Sequence, residues 1–107
     1  MIETYFLLPQ QDNDGNPFPR AKFQALRERI ISEFGGLTVE EDHSTGYWKG
    51  DDGRLYADRN DKYIIAVESL TQIPAVLDLV RWVRKEFQQE AIYLNIAGIA
   101  EIIGEEA

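Results

Sequence analysis

"STGYWKGDDGRLYADRN", Ser44–Asn60, decides how the rest of the chain is read. Thr45–Lys49 has the two-residue alternation of a strand, and Leu55–Asp58 leads back with the same rhythm. Between them stands "GDDG", Gly50–Gly53, a turn bounded by glycines. The stretch reads as a β-hairpin. Its return strand resumes at Tyr63–Glu68, with "RND", Arg59–Asp61, as a bulge between the two parts.

Working outward, residues 2–8, "IETYFLL", alternate as a strand: Phe6 and Leu8 point one way, Tyr5 and Leu7 the other. "PQQDNDGNPFP" is a loop dense in turn residues. A helix follows over Arg20–Phe34 with Pro19 at its start and an apolar stripe of Phe23, Leu26, Ile30, Ile31 and Phe34. Gly35 and Gly36 end it, because glycine accepts the left-handed cap conformation. Beyond the hairpin, Ile73, Val76, Leu77, Val80, Val83 and Phe87 mark a second helix beginning near Pro74. "AIYLNI", Ala91–Ile96, is the last long strand, and the tail from residue 98 to 107 adds a short strand before fraying. Strand, helix, strand, strand, helix, strand is the order of an α+β ferredoxin-like sandwich, one domain over residues 1–107, with both helices on one face of an antiparallel sheet. The expected strand order is fourth, first, third, second.

Three motifs occur in sequence: "FGGLT" (Phe34–Thr38), Gly46-x-Trp48, and "FQQE" (Phe87–Glu90). Together they make the chain resemble a family of small bacterial proteins classed as a domain of unknown function. The resemblance covers nearly the whole chain. It implies a compact α+β fold with Gly35, Gly36, Gly46, Trp48 and Gln89 as structural positions, and it implies no activity. Some members of that family look exported; the start "MIETYFLLPQ" lacks the basic region of a signal peptide.

Composition narrows the function. The 107 residues contain no cysteine, which excludes disulfides, thiolate catalysis and Cys-based metal sites. No apolar run approaches the roughly 20 residues of a membrane span. A cytoplasmic location is expected. The net charge of -8 opposes a nucleic-acid partner, although the two helices carry seven basic against four acidic residues.

His43 is the sole histidine and the first candidate proton acceptor, with Glu90 the second. His43 stands in the polar run "EEDHST" without a nucleophile pattern beside it and reads as a solvated loop residue. Asp12, Asp14 and Asn16 have calcium-loop spacing, but Pro17 and Phe23 occupy the positions that need Gly and Glu, so no tight calcium site is expected. The topology brings Asp12, Asp14, Asp51, Asp52 and Glu90 to one end of the sheet. They are a candidate site for a hard cation or, more simply, a solubilising rim. No cofactor is expected. Trp48 is expected to pack between sheet and helices, so that Trp48→Ala costs roughly 3–5 kcal/mol.

All five tyrosines fall in strands, and "YIIAV" is apolar on both faces. Tyr5, Leu7 and Tyr93 are placed on the face the helices leave open. The chain is therefore expected to be a non-catalytic interaction or structural module that forms a homodimer through that face. The alternative is a small dimeric α+β-barrel enzyme or ligand-binding protein that holds a small molecule between subunits. A metal-dependent nuclease of the same size needs an aspartate closing the first strand, where "LLPQ" stands instead.

Overall fold

The computed structural model describes residues 1–105. Its elements are β1 (Ile2–Pro9), α1 (Arg20–Phe34), β2 (Thr38–Lys49), β3 (Leu55–Val67), α2 (Ile73–Glu86), β4 (Ile92–Ile96) and β5 (Ile99–Ile103). The sheet is antiparallel with five strands in the order β2-β3-β1-β4-β5. This is the α+β ferredoxin-like arrangement, with the expected four-strand order and β5 added at one edge. Among the described residues no helix is long and apolar enough to cross a membrane.

The core lies between the sheet and the helices. Phe6 and Leu8 of β1, Tyr63, Ile65 and Val67 of β3, and Ile92 and Leu94 of β4 point toward the helices and are buried. Leu26 and Ile30 of α1 and Val76, Leu79, Val80 and Val83 of α2 meet them. Alternation in the strands and near-fourfold spacing in the helices produce this layer directly. Ile31, counted in the α1 stripe, is 53% exposed, one position past the buried ridge. Gly35 caps α1 at φ 83°, and its N–H returns to the Ile31 carbonyl at 2.9 Å.

Tyr63 stacks on Phe6 with ring centroids 5.1 Å apart. Burial, with Asp61 nearby, pushes its phenol up to about 12 from an ordinary 10. The folded state therefore favours the neutral phenol. That stabilisation is fully present below pH 10 and is lost as pH rises through about 12. Alkaline unfolding followed by circular dichroism is expected to set in across this window, and to shift upward in Tyr63→Phe.

The hairpin differs from its sequence reading in two ways. β3 is one continuous strand from Leu55 to Val67: Asn60 and Asp61 pair with Pro9 and Leu8 of β1, and Arg59 with Thr45 of β2. The irregularity sits instead in β2, where residues 41–43 face Asp61 alone, between the pairs Glu40–Lys62 and Ser44–Asn60. The cause is Asp61. Its carboxylate accepts the Asp42 N–H at 3.0 Å and the Gln10 side-chain amide at 2.8 Å. This holds Asp42 at φ 52°, a left-handed conformation that aspartate tolerates. Consequently "EEDHST" is bulged strand rather than loop.

At the other end, Ile99–Ile103 pairs with β4 over its full length, so the tail is ordered through β5. The remaining part of the expected frayed tail, residues 106 and 107, lies outside the described residues.

Candidate functional site

Because both helices cover one face of the sheet, the opposite face is open. Side chains alternate onto it from every strand: Tyr5, Leu7 and Pro9 from β1, Ile64 from β3, Tyr93 from β4 and Ile102 from β5. Tyr5, Leu7 and Tyr93, placed here from the sequence, are half-buried.

The hairpin end of β2 and β3 rises beside this face and shapes it into a trough of about 470 Å³. Leu7, Pro9, Asp58 and Asn60 form its floor, Gly46 and Trp48 one wall, Tyr93 and Ile102 the other. Gln89, Glu90 and Ala91, the loop before β4, close one end. Gly46 lets the wall approach closely: a Cβ there would stand 3.1 Å from the Asn60 amide nitrogen, which would have to give way by a few tenths of an ångström.

Trp48 is not in the helix-facing core. It lies on the open face across from Tyr56, stacked at 4.6 Å with its rings 21° from parallel. Its indole N–H donates to the Asp58 carboxylate. The Tyr56 hydroxyl donates to Asp52 at 2.6 Å, and the Arg54 guanidinium lies 5.3 Å from the Tyr56 ring centre. That hydrogen bond raises the Tyr56 phenol above its ordinary pKa and lowers the Asp52 carboxyl. Asn60 pairs with Pro9 on the open face and Tyr56, four residues earlier, pairs with Trp48, so Trp48 faces away from the helices and covers Tyr56. Trp48→Ala is accordingly expected to cost only about 1–2 kcal/mol, an aromatic pair plus partial burial. Urea unfolding that loses about 3 kcal/mol or more would require the deeper packing.

Across the trough, Tyr93 is held on two sides. The Asn95 side-chain N–H donates to the Tyr93 oxygen at 3.3 Å, and the Tyr5 ring lies beside Tyr93 with ring centroids 6.0 Å apart. The Asn95 oxygen takes the Gly98 N–H at 2.9 Å, which orients the amide with its NH₂ toward Tyr93. Asn95 first and Tyr5 second lower the Tyr93 phenol below its ordinary pKa, while the interaction with Tyr93, followed by burial, raises that of Tyr5. The Lys62 ammonium sits over the Tyr5 ring, 4.2 Å from its centre.

The other sequence candidates are scattered. Glu90 lines the trough. Asp12 lines a separate polar cleft between the hairpin end of β3 and the loop after β1, and its carboxylate accepts the N–H groups of Asp14 and Asn16. Asp14, Asp51 and Asp52 are exposed. Among the described residues no three acids or histidines come together to hold a metal ion. His43 is exposed in the β2 bulge, with Nδ1 3.1 Å from Glu40. Gln89 donates to the Phe87 carbonyl at 2.9 Å and shapes the loop that ends the trough. Asp58, Asn60 and the hydrogen bond from Asn95 to Tyr93 are not legible in the sequence pattern as read; alternation along the fully paired β3 is the signal for the first two.

No protein-family model matches this chain, and no curated protein is similar to it. Solved structures are. A phage SAM lyase in complex with S-methyl-5'-thioadenosine superposes with a TM-score of 0.72 at 16% identity, covering 97% of this chain and 89% of that one. The divalent cation tolerance protein CutA1 of Thermus thermophilus gives 0.53 at 11% identity, covering 100% and 84%. CutA1 of Oryza sativa gives 0.53 at 18% identity, covering 99% and 82%. At these identities the likeness shows the fold.

Proposed function

We propose that this chain is a self-associating small-molecule-binding module whose working surface is the open sheet face. The observation that carries the reading is the trough. Its volume is that of an ordinary ligand site, and it combines apolar walls with a few convergent polar groups. The rest of the face supplies a half-buried apolar surface that a second copy would cover, and a homodimer is the simplest closed form. A bacterial, cytoplasmic setting belongs to the same proposal. The chain's motif resemblance to the small family of unknown function adds a shared fold and no chemistry.

The first ligand class to test is an adenosine thioether or sulfonium. The support is the bound S-methyl-5'-thioadenosine in the lyase of similar fold, together with a trough that offers the Trp48 ring for stacking and Asp58 and Glu90 as acceptors for hydroxyl or amino groups. Calorimetry with S-methyl-5'-thioadenosine and with S-adenosylmethionine tests this. Binding of either, abolished by Gly46→Leu, which fills the trough, supports the reading. Absence of binding by both rejects this ligand class.

A second reading, that the chain is a lyase, is favoured by the same structural likeness. Incubation with S-adenosylmethionine, followed by chromatography, decides it. Release of S-methyl-5'-thioadenosine above the protein-free rate establishes turnover, with Glu90 and Tyr93 as the titratable groups to mutate first. The binding module predicts no release.

A further inference from the structure

Asn60 stands on the floor of the trough and is 8% exposed. Its primary amide has two hydrogens to donate and an oxygen to accept with. Among the described residues none is hydrogen-bonded to that side chain, and no fully buried side-chain polar atom lacks a partner. Both ends of the Asn60 amide therefore keep a small share of exposure, and the amide nitrogen sits in the gap left by the missing side chain of Gly46, where a Cβ would stand 3.1 Å away. An amide this buried ordinarily finds its partners within the protein. Gln89, equally buried at the end of the trough, is the ordinary case: it donates to the Phe87 carbonyl at 2.9 Å. The hydrogen bonds of Asn60 are left for whatever occupies the trough.

We propose that Asn60 is the base-reading residue of the trough: its oxygen accepts from the 6-amino group of adenine, and its N–H donates to the ring nitrogen beside that group. The inference rests on the ligand-binding reading and deepens it by naming the residue that selects the base. A primary amide is satisfied at both ends by a planar partner that carries a donor and an acceptor side by side, and the adenine edge is such a partner. The rest of the floor cannot do this. Leu7 and Pro9 have no polar side-chain atom, and the Asp58 carboxylate only accepts and already takes the Trp48 N–H. Gly46 and Trp48 lie two residues apart on one face of β2, so a flat ring lying along that wall reaches the gap where the amide nitrogen stands.

Calorimetry with S-methyl-5'-thioadenosine, and with the same nucleoside lacking its 6-amino group, tests the assignment in the native chain and in Asn60→Leu. Leucine keeps the size of asparagine and removes both polar atoms. The native chain is expected to bind the amino compound roughly 10-fold more tightly than the desamino one, because the latter leaves the amide oxygen unpaired. Asn60→Leu is expected to bind S-methyl-5'-thioadenosine roughly 10-fold more weakly than the native chain does, and to bind the two compounds alike. A residue that only shaped the trough would weaken both compounds together and leave their ratio unchanged. Urea unfolding of the free chain is a second readout. Since the amide makes no hydrogen bond within the described fold, Asn60→Leu is expected to unfold at a urea concentration no lower than the native chain.

A native chain that binds the two compounds equally, or an Asn60→Leu chain that keeps the native preference, overturns the proposal while the trough reading stands. A lower urea midpoint in Asn60→Leu also overturns it, because the amide would then be holding the fold. If the native chain binds neither compound, the ligand class is rejected and the adenine assignment falls with it.

Discussion

Leu7→Glu is expected to turn the assembled protein into monomers while leaving the fold intact. Leu7 is central to the open face, on the middle strand of the sheet and on the floor of the trough. A carboxylate there, paired only across the strand with Lys62, has to be taken out of water when a second copy packs on it. That desolvation costs about 3 kcal/mol, enough to weaken association more than a hundredfold. Glutamate is a better choice than lysine because Leu7 stands directly across from Lys62 on β3. A lysine would oppose a like charge and weaken the sheet, whereas a glutamate gains a cross-strand ion pair. The helix-facing neighbours Phe6 and Leu8 are untouched. Light scattering should give the monomer mass and circular dichroism the native spectrum. A variant that keeps the native mass would remove the open face as the contact surface.

Phe87→Ala is expected to destabilise the fold by about 3–5 kcal/mol, as for a large aromatic ring removed from a packed core. Phe87 is 1% exposed. Its ring meets Phe18 edge-on at 5.1 Å and Phe23 at 5.3 Å, so it ties the end of α2 to α1 and to the loop after β1. The Lys22 ammonium also lies 5.9 Å from its centre. Because its carbonyl receives the Gln89 side chain, loosening Phe87 also releases the loop that ends the trough. Urea unfolding measures the effect, and a loss under about 1 kcal/mol would mean that this aromatic cluster does not hold the layers together.

The contrast between Phe87 and Trp48 shows what could be read in advance. Phe87 belongs to a helical stripe, and a stripe states which side is buried. β1 and β4 were equally legible: alternation put Phe6, Leu8, Ile92 and Leu94 inward and Tyr5, Leu7 and Tyr93 outward, as the structure has them. The hairpin tip was harder. Alternation shows that Gly46 and Trp48 share a face, but not which one: the pairing of β3 with β1 through Asn60 and Pro9 turns that face away from the helices. The bulge could not be read from β2 itself, since Asp61 and Gln10, far away in sequence, create it. The acids looked like a cluster because the topology puts their loops at one end. Their side chains go instead to local turns, as Asp12 and Asp52 do. The trough depended on three separate segments meeting, which no single pattern in the chain announces.

The mass of the native protein in solution is the most direct test that the open sheet face is a working surface. Light scattering at high protein concentration should give twice the 12.3 kDa chain mass, that of the proposed homodimer. A mass of 12.3 kDa that does not rise with concentration would contradict it.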